Sequence, residues 1–164
     1  MHNLKLQPDK CEFLRKGVTY LGHKLTTQGL LPDPDKVVAV REFPTSTNTR
    51  QLKRYLCLSG YYHRFIPNFS KIAKPLTELL RKNTPFEWNQ RAEDAFVTLK
   101  KLLTNEPLLQ YPDFARPFVL TTDASNEALG AILSQSPNGQ DLPLSYASRT
   151  LTRKKITLPQ RNKF

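Results

Sequence analysis

Hydrophobic and polar positions change their period twice along this chain of 164 residues. Residues 1–44 hold short β-prone runs separated by turns. "GVTYLGHKLT" is β-prone and carries two glycines, and "TTQGLLPDP" reads as a turn with a proline-stiffened exit. "DPDKVVAVREF" then fits a short helix, with Asp33 or Asp35 as its cap, Val37, Val38 and Phe43 as its apolar positions, and Pro44 as its stop.

From Asn48 the spacing becomes helical. Asn48 is placed to cap and Gln51 follows three residues later, in the manner of a capping box. At 100° per residue, Leu52, Tyr55, Leu56, Ser59, Tyr62, Phe65 and Ile66 share one arc, which is the pattern of a core-facing side. Arg50, Lys53, Arg54, Cys57, Gly60, Tyr61 and Arg64 share the other. Gly60 costs about 1 kcal/mol against alanine inside a helix. It either lets a polyanion backbone approach the cationic stripe or packs against a neighbouring element. A short helix is expected after Pro67, and another after Asn89 with Ala92, Ala95, Phe96, Leu99, Leu102 and Leu103 as its apolar face, closed by Pro107. The period then returns to two in "RPFVLTTDAS", "ALGAILSQ" and "PLSYASRTL", and Asn138-Gly139 is a hairpin signal.

Charge sharpens this picture. The net charge is +11, and residues 45–83 concentrate it: Arg50, Lys53, Arg54, Arg64, Lys71, Lys74, Arg81 and Lys82 stand against Glu78 alone. Such a block fits either polyanion binding or a solvated basic surface. Apolar runs are too short for a membrane span, so no membrane partner is expected. The N-terminal residues lack the apolar core of a signal peptide, and Cys11 and Cys57 offer neither a disulfide framework nor a zinc site. An intracellular, reduced setting, cytoplasmic or nuclear, is the expectation. His2, His23 and His63 are scattered, without a nearby nucleophile or metal-ligand spacing.

Several motifs, in order, carry a resemblance: "KCEF", "YLGHKLT", "LKRYLCLSGYYHRFIPNFSKIAKPLTELL", "FEWNQRAEDAFVTLKKLLTNEPLLQYPDF", "FVLTTDASNEALGAILSQ" and "PLSYASRTLT". Together they resemble the Pol polyprotein of gypsy-type LTR retrotransposons over nearly the whole chain to Thr152. The resemblance implies an α+β arrangement. Residues 1–44 would end a reverse transcriptase palm as a palm-remnant β-hairpin. Residues 45–107 would form helical thumb and connection elements, and residues 108–155 an incomplete RNase H-like β-sheet. In these terms Tyr20, Leu21, Gly22 and His23 resemble the primer-grip hairpin. The helix from Arg50 resembles the one that tracks the template–primer duplex, so Arg50, Lys53, Arg54, Gly60, Tyr61 and Arg64 become candidate contacts to an RNA–DNA or DNA duplex. The family often has glycine where this chain has Cys57. The chain is expected to lack one compact core, and an uncovered RNase H-like sheet edge would allow self-association.

The chemistry implied by the resemblance is incomplete. Asp123 resembles the first carboxylate of an RNase H site, where several acidic residues hold two Mg2+ ions about 3.5–4 Å apart. Beyond it the chain has only Glu127 and Asp141, and no adjacent Asp-Asp pair of a polymerase palm occurs. Asp123 is therefore expected to be a remnant metal ligand that is not functional alone. The expected reading is a reverse transcriptase/RNase H fragment, inactive by itself, that retains duplex binding. The alternative is a host-recruited module for nucleic-acid or protein contacts.

Residues 156–164 depart from the family pattern, which continues with tyrosine-serine-threonine-threonine-glutamate-lysine. Codons available for Ile156 to Arg161 yield that run when read one base earlier, so a frameshift is expected there. The coding DNA tests it: the idea fails if no alternative frame encodes the run.

Overall fold

The computed structural model describes residues 5, 7–11, 13–105, 107–137 and 139–151. It opens with a short 3-10 turn at Pro8–Lys10 and an antiparallel meander of β1 (Gly17–Tyr20), β2 (His23–Thr26) and β3 (Gly29–Pro32). The run read above as a turn and stiff exit is thus a third strand. Its register explains why: Leu30 faces Leu25 on one side and exchanges two backbone hydrogen bonds with Leu109 on the other, at 2.7 and 2.9 Å. Gly29 is required at this join. Its φ is +146°, and a Cβ there would lie 2.3 Å from the Leu109 carbonyl oxygen.

Helix α1 (Pro34–Arg41) starts from the Asp33 carboxylate, which accepts from the Asp35 amide at 3.0 Å. Its fully buried residue is Val40, whereas Val38 is exposed. The apolar face is therefore turned from that expected, because the helix packs against α4 and α2. Helix α2 (Thr49–Tyr61) is capped by the Asn48 side chain, which accepts from the Gln51 amide at 2.9 Å. The Gln51 side chain returns to the Thr47 amide, not to Asn48, so the reciprocal cap closes one residue earlier than the simple pattern.

Helix α2 ends sooner than its apolar arc. Pro67 holds Ile66 extended, and the chain tightens into a 3-10 turn at His63–Phe65. Phe65 and Ile66 are buried from that turn, so the arc continues without the helix. Helix α3 (Phe69–Glu78) and helix α4 (Gln90–Thr104) follow, the latter capped by the Asn89 side chain on the Ala92 amide.

The helices share one hydrophobic core. It joins Val40, Leu52, Tyr55, Tyr62, Phe65, Ile66, Leu76, Phe96, Leu99, Leu103 and Leu109, with Leu30 and Tyr146 packed against it from the two sheets. The expectation of a chain without one compact core is corrected accordingly. The join is made by Leu109, whose backbone pairs with β3, while the next residue, Gln110, donates its amide to the Pro143 carbonyl at 2.9 Å. Lys100 adds a polar tie, its ammonium donating to the Arg41 carbonyl at 3.1 Å and to that of Phe43. Burial holds the Lys100 pKa below the usual lysine value.

The second sheet is antiparallel in the order β4 (Val119–Ala124), β5 (Ala128–Gln135), β6 (Leu142–Thr150), with a register shift between Leu133 and Ser134. Asn138 of the expected hairpin signal lies outside the described residues. The sheet docks on the start of α3. Ser148 Oγ accepts from the Ser70 amide at 2.8 Å, and Lys74 pairs with Glu127 at 2.7 Å. Strand β4 lies at the far side, exposed along its whole length. No helix among the described residues is long and apolar enough to cross a membrane.

Core and sheet should respond differently to truncation. Leu99 is 0% exposed and Leu120 on β4 is 66% exposed. Leu99→Ala is expected to cost about 2–5 kcal/mol. Leu120→Ala should stay within about 0.5 kcal/mol. Urea unfolding of both variants checks this, and equal losses would show that β4 is buried in solution.

Candidate nucleic-acid interface

One turn and one helix face define the site. Leu21 and Gly22 form the two-residue turn between β1 and β2, with φ values of +46° and +68°. Two positive φ angles match the twist of a tight hairpin. Glycine reaches this region freely, but leucine there costs on the order of 1–2 kcal/mol. Contacts from α2 hold the strained turn. The Tyr61 hydroxyl donates to the Leu21 carbonyl at 2.6 Å, and the Tyr62 hydroxyl donates to the Gly22 carbonyl at 2.7 Å. Burial is the main cause that pushes the Tyr62 phenol up to about 12, so its donating proton is present at any ordinary pH.

His23 sits beneath the turn. Its ring lies 5.4, 5.7 and 5.7 Å from those of Tyr61, Tyr62 and Phe65. Its Nδ1 is 2.8 Å from the Leu21 carbonyl. A carbonyl only accepts, so Nδ1 carries the proton. Nε2 is buried and has no hydrogen-bond partner among the described residues.

Between this turn and α2 runs an open groove of about 710 Å³. It is lined by Gly22, Lys36, Arg50, Lys53, Arg54, Cys57, Leu58, Tyr61 and Tyr62. Leu58 and the tyrosines give it apolar walls, while four cations stand on its rim and no carboxylate lines it. None of those four cations takes part in an ion pair among the described residues. The arrangement suits a ligand with an apolar body and regularly spaced negative charge.

The expected contact residues divide. Arg50, Lys53, Arg54 and Tyr61 meet Gly22 at the groove. Gly60 and Arg64 lie outside it. Gly60 falls about 80° from Arg50 around the helix, and a Cβ there would meet only Phe69, at 3.9 Å. Its place is beside a neighbouring element, with no crowding that demands glycine. Arg64 follows the end of α2, in the 3-10 turn. Of the hairpin residues, Tyr20 and Leu21 project outward, 63% and 71% exposed. Lys36 was not anticipated. It comes from α1, and no periodicity within α2 could have pointed to it.

Asp123 occupies a different region. It is exposed on β4 opposite Gly130, and a Cβ on Gly130 would fall 2.7 Å from Asn68 Oδ1. Of the later carboxylates, Glu127 is engaged by Lys74, whose hydrogen bond and charge hold it below the usual carboxylate range, and Asp141 accepts from Ser136. No three His, Cys, Asp or Glu side chains converge among the described residues. A two-metal centre needs several oxygen ligands. The described residues do not fit one.

A profile of the RNase H-like domain found in reverse transcriptase matches residues 88–163. The retrovirus-related Pol polyprotein from transposon 297 of Drosophila melanogaster is 52% identical over 151 residues, spanning 91% of this chain and 14% of that protein. That from transposon 412 is 46% identical over 152 residues, spanning 93% and 12%. The chain thus spans only about an eighth of these relatives' length. An uncharacterised mitochondrial protein of Arabidopsis thaliana is 41% identical over 120 residues, 72% of this chain and 75% of that protein. In fold the chain is similar to a foamy viral protease-reverse transcriptase solved in complex with an RNA/DNA hybrid. The TM-score is 0.77 at 24% identity, over 91% of this chain and 20% of that one. A complex of the foamy viral enzyme with double-stranded DNA gives a TM-score of 0.75 at 24% identity, over 88% and 25%. The order of motifs and these likenesses agree: residues 88–163 match the RNase H-like domain found in reverse transcriptase, and over about nine-tenths of its length the chain is homologous to gypsy-type transposon Pol polyproteins of Drosophila.

Proposed function

We propose that the groove between the Leu21–Gly22 turn and α2 grips the sugar–phosphate backbone of an RNA–DNA or DNA duplex without sequence preference, and that the chain alone neither extends nor cleaves it. The observation that carries this reading is the quartet Lys36, Arg50, Lys53 and Arg54, without an ion pair among the described residues, around an apolar-walled groove whose described lining holds no carboxylate. Phosphates would meet the rim cations and sugars the apolar walls. Contacts of this kind position a duplex and carry no base information. The foamy viral structures of similar fold are complexes with DNA and RNA/DNA duplexes, which supports the same class of partner here.

The inactive part of the reading rests on the ligand inventory. Asp123 on β4 belongs to no group of three or more His, Cys, Asp or Glu side chains able to hold a metal among the described residues, and the sequence contains no Asp-Asp pair. A further partner is a second copy of this chain. Strand β4 pairs only with β5 among the described residues and exposes Val119 and Leu120, with Phe118 exposed just before it. An open strand edge bearing apolar side chains is a template for pairing. Sedimentation at rising concentration should show reversible association that Leu120→Lys weakens; a monomer throughout would remove the idea.

Binding itself is tested by a salt titration. Four phosphate contacts give a log–log slope of about −3 to −4, at about −0.9 per contact. Arg54→Ala should lower its magnitude by about one and weaken all sequences alike. Mg2+ or Mn2+ with nucleotides should leave a labelled hybrid unchanged in length. Salt-insensitive binding, or binding unmoved by Arg54→Ala together with Lys53→Ala, would refute the groove assignment. Cleavage abolished by Asp123→Asn would refute the inactive reading.

A further inference from the structure

We infer that Tyr61 and Tyr62 are positioning residues that make the groove select a duplex over a single strand. The inference rests on the duplex-gripping reading above and deepens it. The two hydroxyls reach two consecutive carbonyls, those of Leu21 and Gly22, and the Asp33 amide donates to the Gly22 carbonyl as well, at 3.2 Å. A turn tied at three points is a fixed wall, and the cationic face of α2 is the wall opposite.

Two consequences follow from fixing that wall. The first concerns shape. A duplex backbone is stiff over about 150 bp and arrives already ordered. A single strand must surrender conformational freedom to match a groove of set width, so the rigid groove penalises the single strand more. The second concerns the aromatic surface. Proteins that hold single strands offer aromatic faces on which bases stack. Tyr61 is 52% exposed and could serve in that way. Its hydroxyl bond fixes the ring's orientation, perpendicular to Tyr62 with centroids 5.0 Å apart at 88°, so the ring does not turn to follow the bases of a flexible strand. Gly22 lies against one side of it, since a Cβ there would come within 3.3 Å of the Tyr61 ring. The same bond therefore sets the wall and fixes the aromatic surface in it.

The test is anisotropy with a short labelled RNA–DNA hybrid and each of its single strands, using the full chain. The wild type should prefer the hybrid. Tyr61→Phe keeps the ring and removes only the hydroxyl of a half-exposed side chain, so folding is not at risk. It should reduce the hybrid preference about fivefold, the equivalent of one ordinary hydrogen bond. Tyr62→Phe should act in the same direction. The salt slope on the hybrid should stay constant, because no cation has been removed. Damage to the fold would weaken both ligands together and leave their ratio unchanged. An unchanged ratio in both variants, with a steep slope retained, would overturn this inference and leave the groove reading standing. A wild type that binds neither ligand in a salt-dependent way would overturn both.

Discussion

Two phenol hydroxyls from consecutive residues hold two consecutive carbonyls of a strained turn, and the interface depends on that clamp. Its energetics are close to balanced. Each neutral hydrogen bond contributes about 1 kcal/mol net, and leucine at positive φ costs on the order of 1–2 kcal/mol. The clamp therefore adds little to global stability. What it determines is position: the turn carrying Gly22 stands across from Arg50, Lys53 and Arg54, and the space between them becomes a groove. Burial strengthens the arrangement, because a Tyr62 hydroxyl left without its acceptor would carry an unmet desolvation cost.

A second join carries the rest of the molecule. The chain leaves α4 and passes Leu109, which pairs with β3, and Gln110, which bonds to β6. Backbone groups on one short segment thus tie both sheets to the helical core, and Gly29 is the residue that allows the approach. The two halves differ in completeness. At the groove, both walls and the rim are supplied by described residues. At the second sheet, β4 is exposed on every residue and Asp123 belongs to no cluster of three or more metal-ligating side chains among the described residues. The groove, and not the second sheet, is the candidate site for this reason.

What could be read from sequence was local. The caps at Asn48 and Asn89 and the buried arc of Leu52, Tyr55 and Ser59 depend on spacing within one helix, and the helix repeats that spacing faithfully. Pro67 was visible too, yet the regular arc through Ile66 hid the end of α2 at Tyr61. Burial in a 3-10 turn mimics the helical pattern. The remaining features depend on contacts between distant segments. Nothing local tells Val40 from Val38 as the buried residue of α1, because the choice belongs to the packing against α4. Lys36 joins the rim only through the placement of α1. The Tyr61 and Tyr62 hydroxyls act across 40 residues of sequence, and the Leu30–Leu109 pairing that unites the core is made by backbone atoms, which leave no side-chain pattern.

Net charge alone would not have located the interface. The basic block from residue 45 to 83 covers two surfaces with different electrostatic histories. On and just beyond α3 two of the cations are paired: Lys74 with Glu127 at 2.7 Å, which docks the sheet, and Arg81 with Glu78 at 3.6 Å. Around the groove none of Lys36, Arg50, Lys53 and Arg54 takes part in an ion pair among the described residues. Like charges on one rim repel, and within a Debye length of about 10 Å at 0.1 M salt that repulsion is only partly screened. The folded chain tolerates the repulsion at one place and neutralises it at another. A polyanion seated in the groove would relieve it and release its own counterions in the same step. The grouping of four cations on one rim without an ion pair among the described residues, more than the number of cations in the chain, is what makes the groove the candidate surface for a polyanion.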